Sequence, residues 1–205
     1  MEFLKKSLVA LSIVVSTYSF SQESKVLQTA FAKSYAYESK YQYDEAIQVL
    51  KDVYSDKSYS INVRMGWLCY LDKNYTSSIN YYKKAIDLMP ASAEVLWAIL
   101  SPQIALEKWS DVEKTYLDIL KLEPKNATAH YKLGVMYYYR KNYTVAKKYF
   151  DVALNLYPLD YNNLLMSAWT NYFLGKTNEA KVLFNRVLLL YQGDASAIEG
   201  LSLIK

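Results

Sequence analysis

The sequence is poor both in the residues that make turns and in those that make reactive centres. Only five glycines and four prolines are spread over 205 residues. An all-β fold needs more turns than that, so the scarcity favours helices. Cys69 is the only cysteine, so no disulfide can form within the chain and packing alone must hold the fold. His130 is the only histidine, and a lone imidazole makes a poor metal site. The two lie far apart in sequence and offer no evident nucleophile–base pair. No glycine-rich phosphate loop and no His/Cys cluster is present, so no cofactor is expected. The formal net charge is +4, and no run of five basic residues occurs. That balance points to neither nucleic acid nor an anionic membrane.

What is present is apolar and aromatic: 52% of the residues are hydrophobic, and 22 are tyrosine. That is ample for one folded region and too apolar for a disordered chain. The first residues read as an export signal. Lys5 and Lys6 give a positive start, and Leu8 to Val15 is apolar but too short to span a bilayer. Ser19-Phe20-Ser21 then sets small residues at the first and third positions, as signal peptidase requires. Cleavage is expected after Ser21, giving signal peptide 1–21 and a single mature domain, 22–205. The alternative is an uncleaved anchor, the one membrane association foreseen. The expected location is exported, periplasmic or secreted.

The remainder repeats itself. Gly66, Leu100, Gly134 and Ala168 are each 34 residues apart, as are Ser78, Val112, Ala146 and Ala180. The same offset links Tyr82, Tyr116, Phe150 and Phe184, and then Ala85, Ile119, Ala153 and Val187. Pro90, Pro124 and Pro158 close three of the blocks. An earlier block carries Ser34, Ala46, Leu50 and Val53, 32 residues before the next. Its connecting loop, around Ser55 to Ser58, is expected to be two residues shorter. Within a block, Leu133 and Tyr137, then Ala146, Phe150 and Ala153, follow helical spacing, and Lys141-Asn142 interrupts it. Each block therefore predicts two helices joined by a tight turn. Small residues such as Gly134 and Ala146 are placed where the two helices cross. Polar residues at Asn74, Ser110, Asn142 and Thr177 are expected to cap the second helices.

Over roughly residues 27 to 205 this pattern resembles the tetratricopeptide repeat family. The fourth block carries the match best, through His130, Leu133, Gly134, Tyr137, Ala146, Phe150, Ala153 and Pro158. The resemblance implies an all-α, right-handed superhelical solenoid of antiparallel helix hairpins. Repeats fall at about 27–58, 59–92, 93–126, 127–160 and 161–194, with a C-terminal capping helix at 195–205. Asp194 is expected to cap that helix, with Ile198 and Leu201 covering the end of the array. The third block departs from the pattern. Leu100 and Val112 replace small residues, and Pro102 falls inside the first helix, predicting a kink or break and a wider hairpin.

In the family the first helices line the concave face, where ligands bind. The register places Phe31 and Tyr35 there, then Trp67 and Tyr70, Trp97, Tyr131, Tyr138 and Tyr139, and finally Trp169 and Phe173. Repeats that grip a chaperone's C-terminal carboxylate carry polar clamps at such sites. Here Trp67, Leu71, Trp169 and Leu174 stand instead, so an aromatic groove for a peptide is expected. Ordinary packing is the alternative for these aromatics, with the cap helix placed to cover Trp169. His130 and Cys69 read as core residues. Asn74, Asn126 and Asn142 open Asn-x-Thr triplets, which matter only in a eukaryotic secretory pathway. The function expected is a non-enzymatic scaffold of the cell envelope or secreted space that binds another protein or peptide. The alternatives are a periplasmic chaperone-like holder of exported chains and a small enzyme.

Overall fold

The computed structural model describes residues 25–204. The expected signal segment lies outside the described residues. Helix α1 occupies 25–38. It is followed by α2 (Tyr43–Lys51), α3 (Tyr59–Leu71), α4 (Tyr75–Leu88) and α5 (Ala93–Ala105). Then come α6 (Trp109–Leu122), α7 (Ala127–Tyr139), α8 (Tyr143–Leu156), α9 (Tyr161–Phe173), α10 (Thr177–Leu190) and α11 (Ala195–Leu203). No strand occurs among the described residues. The chain forms two compact units, one ending at Leu106 and one beginning at Glu107.

The helix starts show which polar residues matter. The side chains of Asn74 and Asn142 accept hydrogen bonds from the amides of Ser77 and Val145, capping α4 and α8. Asn126 caps α7 in the same way, so all three sequon asparagines serve a helix start. The caps expected for α6 and α10 are absent. Those helices begin after Lys108 and Lys176, which give no side-chain hydrogen bond, and Thr177 is already inside α10. Each turn between paired helices contains one residue with left-handed backbone: Tyr41, Lys73, Glu107, Lys141 and Gly175. The last four are again 34 apart. This turn lets the amides of Asn142 and Lys176 reach back to the carbonyls of Tyr137 and Asn171.

In the first unit α3 packs on α2 and α4, and α5 packs on α4. Ser78 sits at the α3–α4 crossing and donates to the Gly66 carbonyl at 2.7 Å. A Cβ added to Gly66 would lie 2.7 Å from the Tyr82 ring. The shortened first repeat is resolved differently from expectation. Helix α2 has nine residues against 14 in α4, and the connection that follows it is longer, not shorter. The deficit is taken from the helix, because Asp52 and Val53 turn the chain early. Pro102 does not break its helix either, for α5 runs unbroken from Ala93 to Ala105. Pro102 lies in the final turn, so its missing N–H removes one bond, that of the Ala98 carbonyl. Its own carbonyl still accepts from Leu106.

In the second unit α6 through α10 pack pairwise in order, and α11 lies on α9 and α10. Phe150 and Phe184 are fully buried beside the crossings. A Cβ on Gly134 would fall 2.6 Å from the Phe150 ring. Glu113 of α6 accepts from Tyr137 of α7 and pairs with Arg140, just past the end of α7, and Tyr137 stacks on Tyr149 of α8. Asp194 caps α11 by accepting from Ala197 N–H at 2.8 Å. The residues of α11 that face inward are Ala197, Gly200 and Leu201; Ile198, expected to cover the end, is exposed. Gly200 rather than a large residue lies against the Phe184 ring.

Gly134→Ala should therefore lower stability, although alanine is the better helix former. The added methyl overpacks a buried ring, an effect of about 1–3 kcal/mol. A thermal melt followed by circular dichroism should show a lower Tm, partly restored by Phe150→Leu. An unchanged Tm for the single variant would remove the close crossing.

Candidate functional site

The residues expected to form the groove fall into both units, and each unit assembles its own. In the first, α1 and α3 bring a polar pair among the aromatics. Phe31 and Tyr35 lie with ring centres 6.5 Å apart on α1. The Arg64 guanidinium sits 3.8 Å from the Tyr35 ring centre. Its planar, weakly hydrated cation suits such a face. Arg64 also pairs with Glu38 at 2.5 Å, and Glu38 accepts the Trp67 indole N–H at 2.6 Å. Trp67 continues to Tyr70, ring centres 5.8 Å apart. Phe31 through Tyr70 thus form one connected row, held by a buried arginine and its carboxylate.

Glu38 and Arg64 were not among the residues expected at the site. A signal for them existed: Glu38 stands in the register of Tyr70, and Arg64 in that of Ala98, Lys132 and Met166. Opposite charges on adjacent first helices, in columns that carry no such pair elsewhere, are that signal. Trp67 keeps 41% of its surface exposed despite its hydrogen bond. Trp97, also in this unit, is half-buried on α5.

In the second unit Phe173 is the hub. It stacks on Tyr143 at 4.8 Å and meets Tyr138 at 5.9 Å and Trp169 at 6.1 Å. Tyr143, at the first turn of α8, was missed. Tyr70–Tyr75 and Tyr138–Tyr143 are the same pair in two repeats, each ring of a first helix meeting the first ring of the second. Tyr70 and Tyr138 therefore brace the hairpin turn. Tyr139 and Phe173 are the ones presented outward, 76% and 46% exposed.

Trp169 is covered, as the placement of the last helix suggested. Its indole N–H donates to Ser196 of α11 at 2.9 Å, and its ring packs edge-on against Phe184. It is partly buried, packed against the core cluster of α9, α10 and α11. Tyr131 lies near the start of α7, at the rim of a cleft of about 800 Å³. Burial, and then the nearby Asp160 carboxylate, push its hydroxyl pKa above the usual range.

The two reactive residue types are both packed. Cys69 is buried, and its thiol pKa is pushed up to about 11 by burial and then by Asp72. His130 is buried with Nε2 at 2.9 Å from the Pro124 carbonyl and its ring beside Tyr149. Nε2 must carry the proton to donate there, and Nδ1 is left without a partner. The histidine is packed but only half satisfied.

Three segments of the sequence, 59–92, 127–160 and 163–193, match the profile of the tetratricopeptide repeat. No curated protein matches the chain. Solved structures of similar fold include a tetratricopeptide repeat protein from Parabacteroides merdae, at 20% identity and TM-score 0.70 over 86% of this chain and 71% of that one. YrrB, described as a repeat protein with an unusual peptide-binding site, is 10% identical with TM-score 0.67, covering 85% of this chain and 91% of its own. MamA from Desulfovibrio magneticus is 15% identical with TM-score 0.65, over 83% and 97% of the two chains.

At pH 8 a thiol with a pKa of about 11 is ionised to roughly one part in a thousand. The folded chain should therefore leave a disulfide reagent such as DTNB unreacted over an hour and consume one equivalent in urea. Rapid reaction of the native chain would show that Cys69 is neither buried nor protonated.

Proposed function

Because the chain belongs to the tetratricopeptide repeat family, we propose that it holds another polypeptide against the aromatic side chains of its first helices. The observation that carries the reading is the outward placement of Trp67, Tyr139 and Phe173 on α3, α7 and α9. Large rings left exposed on the ligand-facing helices of a repeat array mark partner sites more often than spare surface. Their chemistry suits an extended or helical peptide with large side chains, not one anchored by a terminal carboxylate. The peptide-binding site in YrrB's description is consistent with such use of this fold. Binding rather than turnover also fits the packing of both reactive side chains, Cys69 and His130. The N-terminal segment supports placing this work outside the cytoplasm, as a scaffold or adaptor in the envelope or secreted space.

The test separates anchors from core. Tyr139→Ala/Phe173→Ala in the tagged full-length chain should lower retention of a defined partner from the native source at least tenfold, with helical content unchanged. Trp67→Ala should weaken retention with a small loss of stability. Trp169→Ala should instead cost about 3 kcal/mol as a packed aromatic is lost. Equal partner retention by wild type and the Tyr139/Phe173 variant would refute the groove.

A further inference from the structure

One position in the repeat is a tyrosine in two hairpins, Tyr59 and Tyr161, and an alanine in two others, Ala93 and Ala127; a cleft opens at the second alanine. Tyr59 and Tyr161 open α3 and α9. Each reaches the residue that directly precedes a later helix: Ser92 before α5, which makes no capping bond, and Asp194 before α11, which does. The Tyr59 hydroxyl lies 2.7 Å from Ser92 Oγ, and the Tyr161 hydroxyl donates to Asp194 Oδ2 at 2.6 Å. The Tyr161 ring also meets Tyr191 edge-on, 5.0 Å between centres. Asp194 still caps α11 through its other oxygen.

The same three positions one repeat earlier, 34 residues lower, are Ala127, Tyr157 and Asp160. Ala127 supplies no ring. The 800 Å³ cleft opens there, lined by Ala127, Tyr131, Tyr157, Asp160 and Asn163 among others. Tyr157 is 61% exposed, close to the 59% of its counterpart Tyr191, but where Tyr191 meets the Tyr161 ring, Tyr157 faces Ala127. Asp160 Oδ1 accepts from the Asn163 amide at 2.8 Å. Among the described residues no hydrogen bond engages Oδ2, the oxygen that the tyrosine takes on Asp194. Asn163, 5% exposed, has its Oδ1 unpaired. An unpaired buried amide oxygen and an open carboxylate both await donors. Glu123 and Asp160 outnumber Lys125 in the lining, a balance that disfavours an anion.

We propose that this cleft receives a tyrosine side chain of a partner polypeptide, its ring against Tyr157 and Tyr131 and its hydroxyl donating to Asp160 Oδ2. The inference rests on the reading that the chain holds a polypeptide, and it names one residue that the partner must carry. The chain's own Tyr59 and Tyr161 show the geometry that the guest copies. The cleft is larger than one ring, leaving room for the guest's adjoining backbone.

The test uses 4-methylphenol, the tyrosine side chain alone, and toluene, the same ring without hydroxyl. Titrated into the 15N-labelled full chain, 4-methylphenol should shift the amides of Ala127, Tyr157, Asp160 and Asn163. Toluene should bind roughly tenfold more weakly, the worth of a hydrogen bond to a charged acceptor. Asp160→Asn keeps a good helix cap and should weaken 4-methylphenol by a similar factor. Ala127→Tyr should fill the cleft from within, abolish the shifts and raise Tm. If that variant fails to fold, Asp160→Asn and toluene decide. Absence of shifts at these amides, or equal binding of the two probes, would overturn the proposal. If partner retention still falls in the Tyr139/Phe173 variant, that result leaves the polypeptide-binding reading standing.

Discussion

A small residue against an aromatic ring is the contact on which the fold depends. Gly66 lies under Tyr82, Gly134 under Phe150, and Gly200 under Phe184. In each case a single added carbon would fall inside the ring's contact distance. The pairing sets how closely the helices approach and keeps three large rings fully buried. Close packing of this kind tolerates little change in volume, and so it fixes the register of everything around it. Side chains on the other face of the first helices are then free to differ from repeat to repeat.

That freedom is where the chain departs from uniformity. The column of Arg64 holds Lys132 and Met166 elsewhere, yet here an arginine pairs with Glu38 and orders a row of rings. Tyr59 and Tyr161 tie their helices to the residue that precedes a later one, whereas Ala127 leaves a cleft. Near-identical frames with local substitutions are how a repeat array gains distinct subsites without a new fold.

Much of this was legible in the sequence because its cause is periodic. The 34-residue offset gave the hairpins, and small-residue and aromatic columns gave the crossings. Asn74, Asn142 and Asp194 were readable as caps because a short side-chain acceptor directly precedes a helix. Features that depend on a single competing contact were not readable. Helix α2 stops early at Asp52 despite a good helical pattern. Lys108 and Lys176 precede their helices without capping them, so neighbouring packing outweighs local propensity there. Pro102 leaves α5 unbroken because it falls in a last turn, a distinction that needs the helix end to within a residue. Of the aromatic groove, the residue types and the covering of Trp169 by the last helix were legible, and the exposure of the others was not. Tyr139, one residue from the packed Tyr138, points outward.

Native-state hydrogen exchange on the full chain tests the central claim most directly. If ring-on-glycine crossings weld each hairpin, the amides around Gly134 in α7 and Phe150 in α8 open together with one free energy. Those of Gly66 and Tyr82 should form a second such group. Paired helices that open separately, each with its own free energy, would contradict the account.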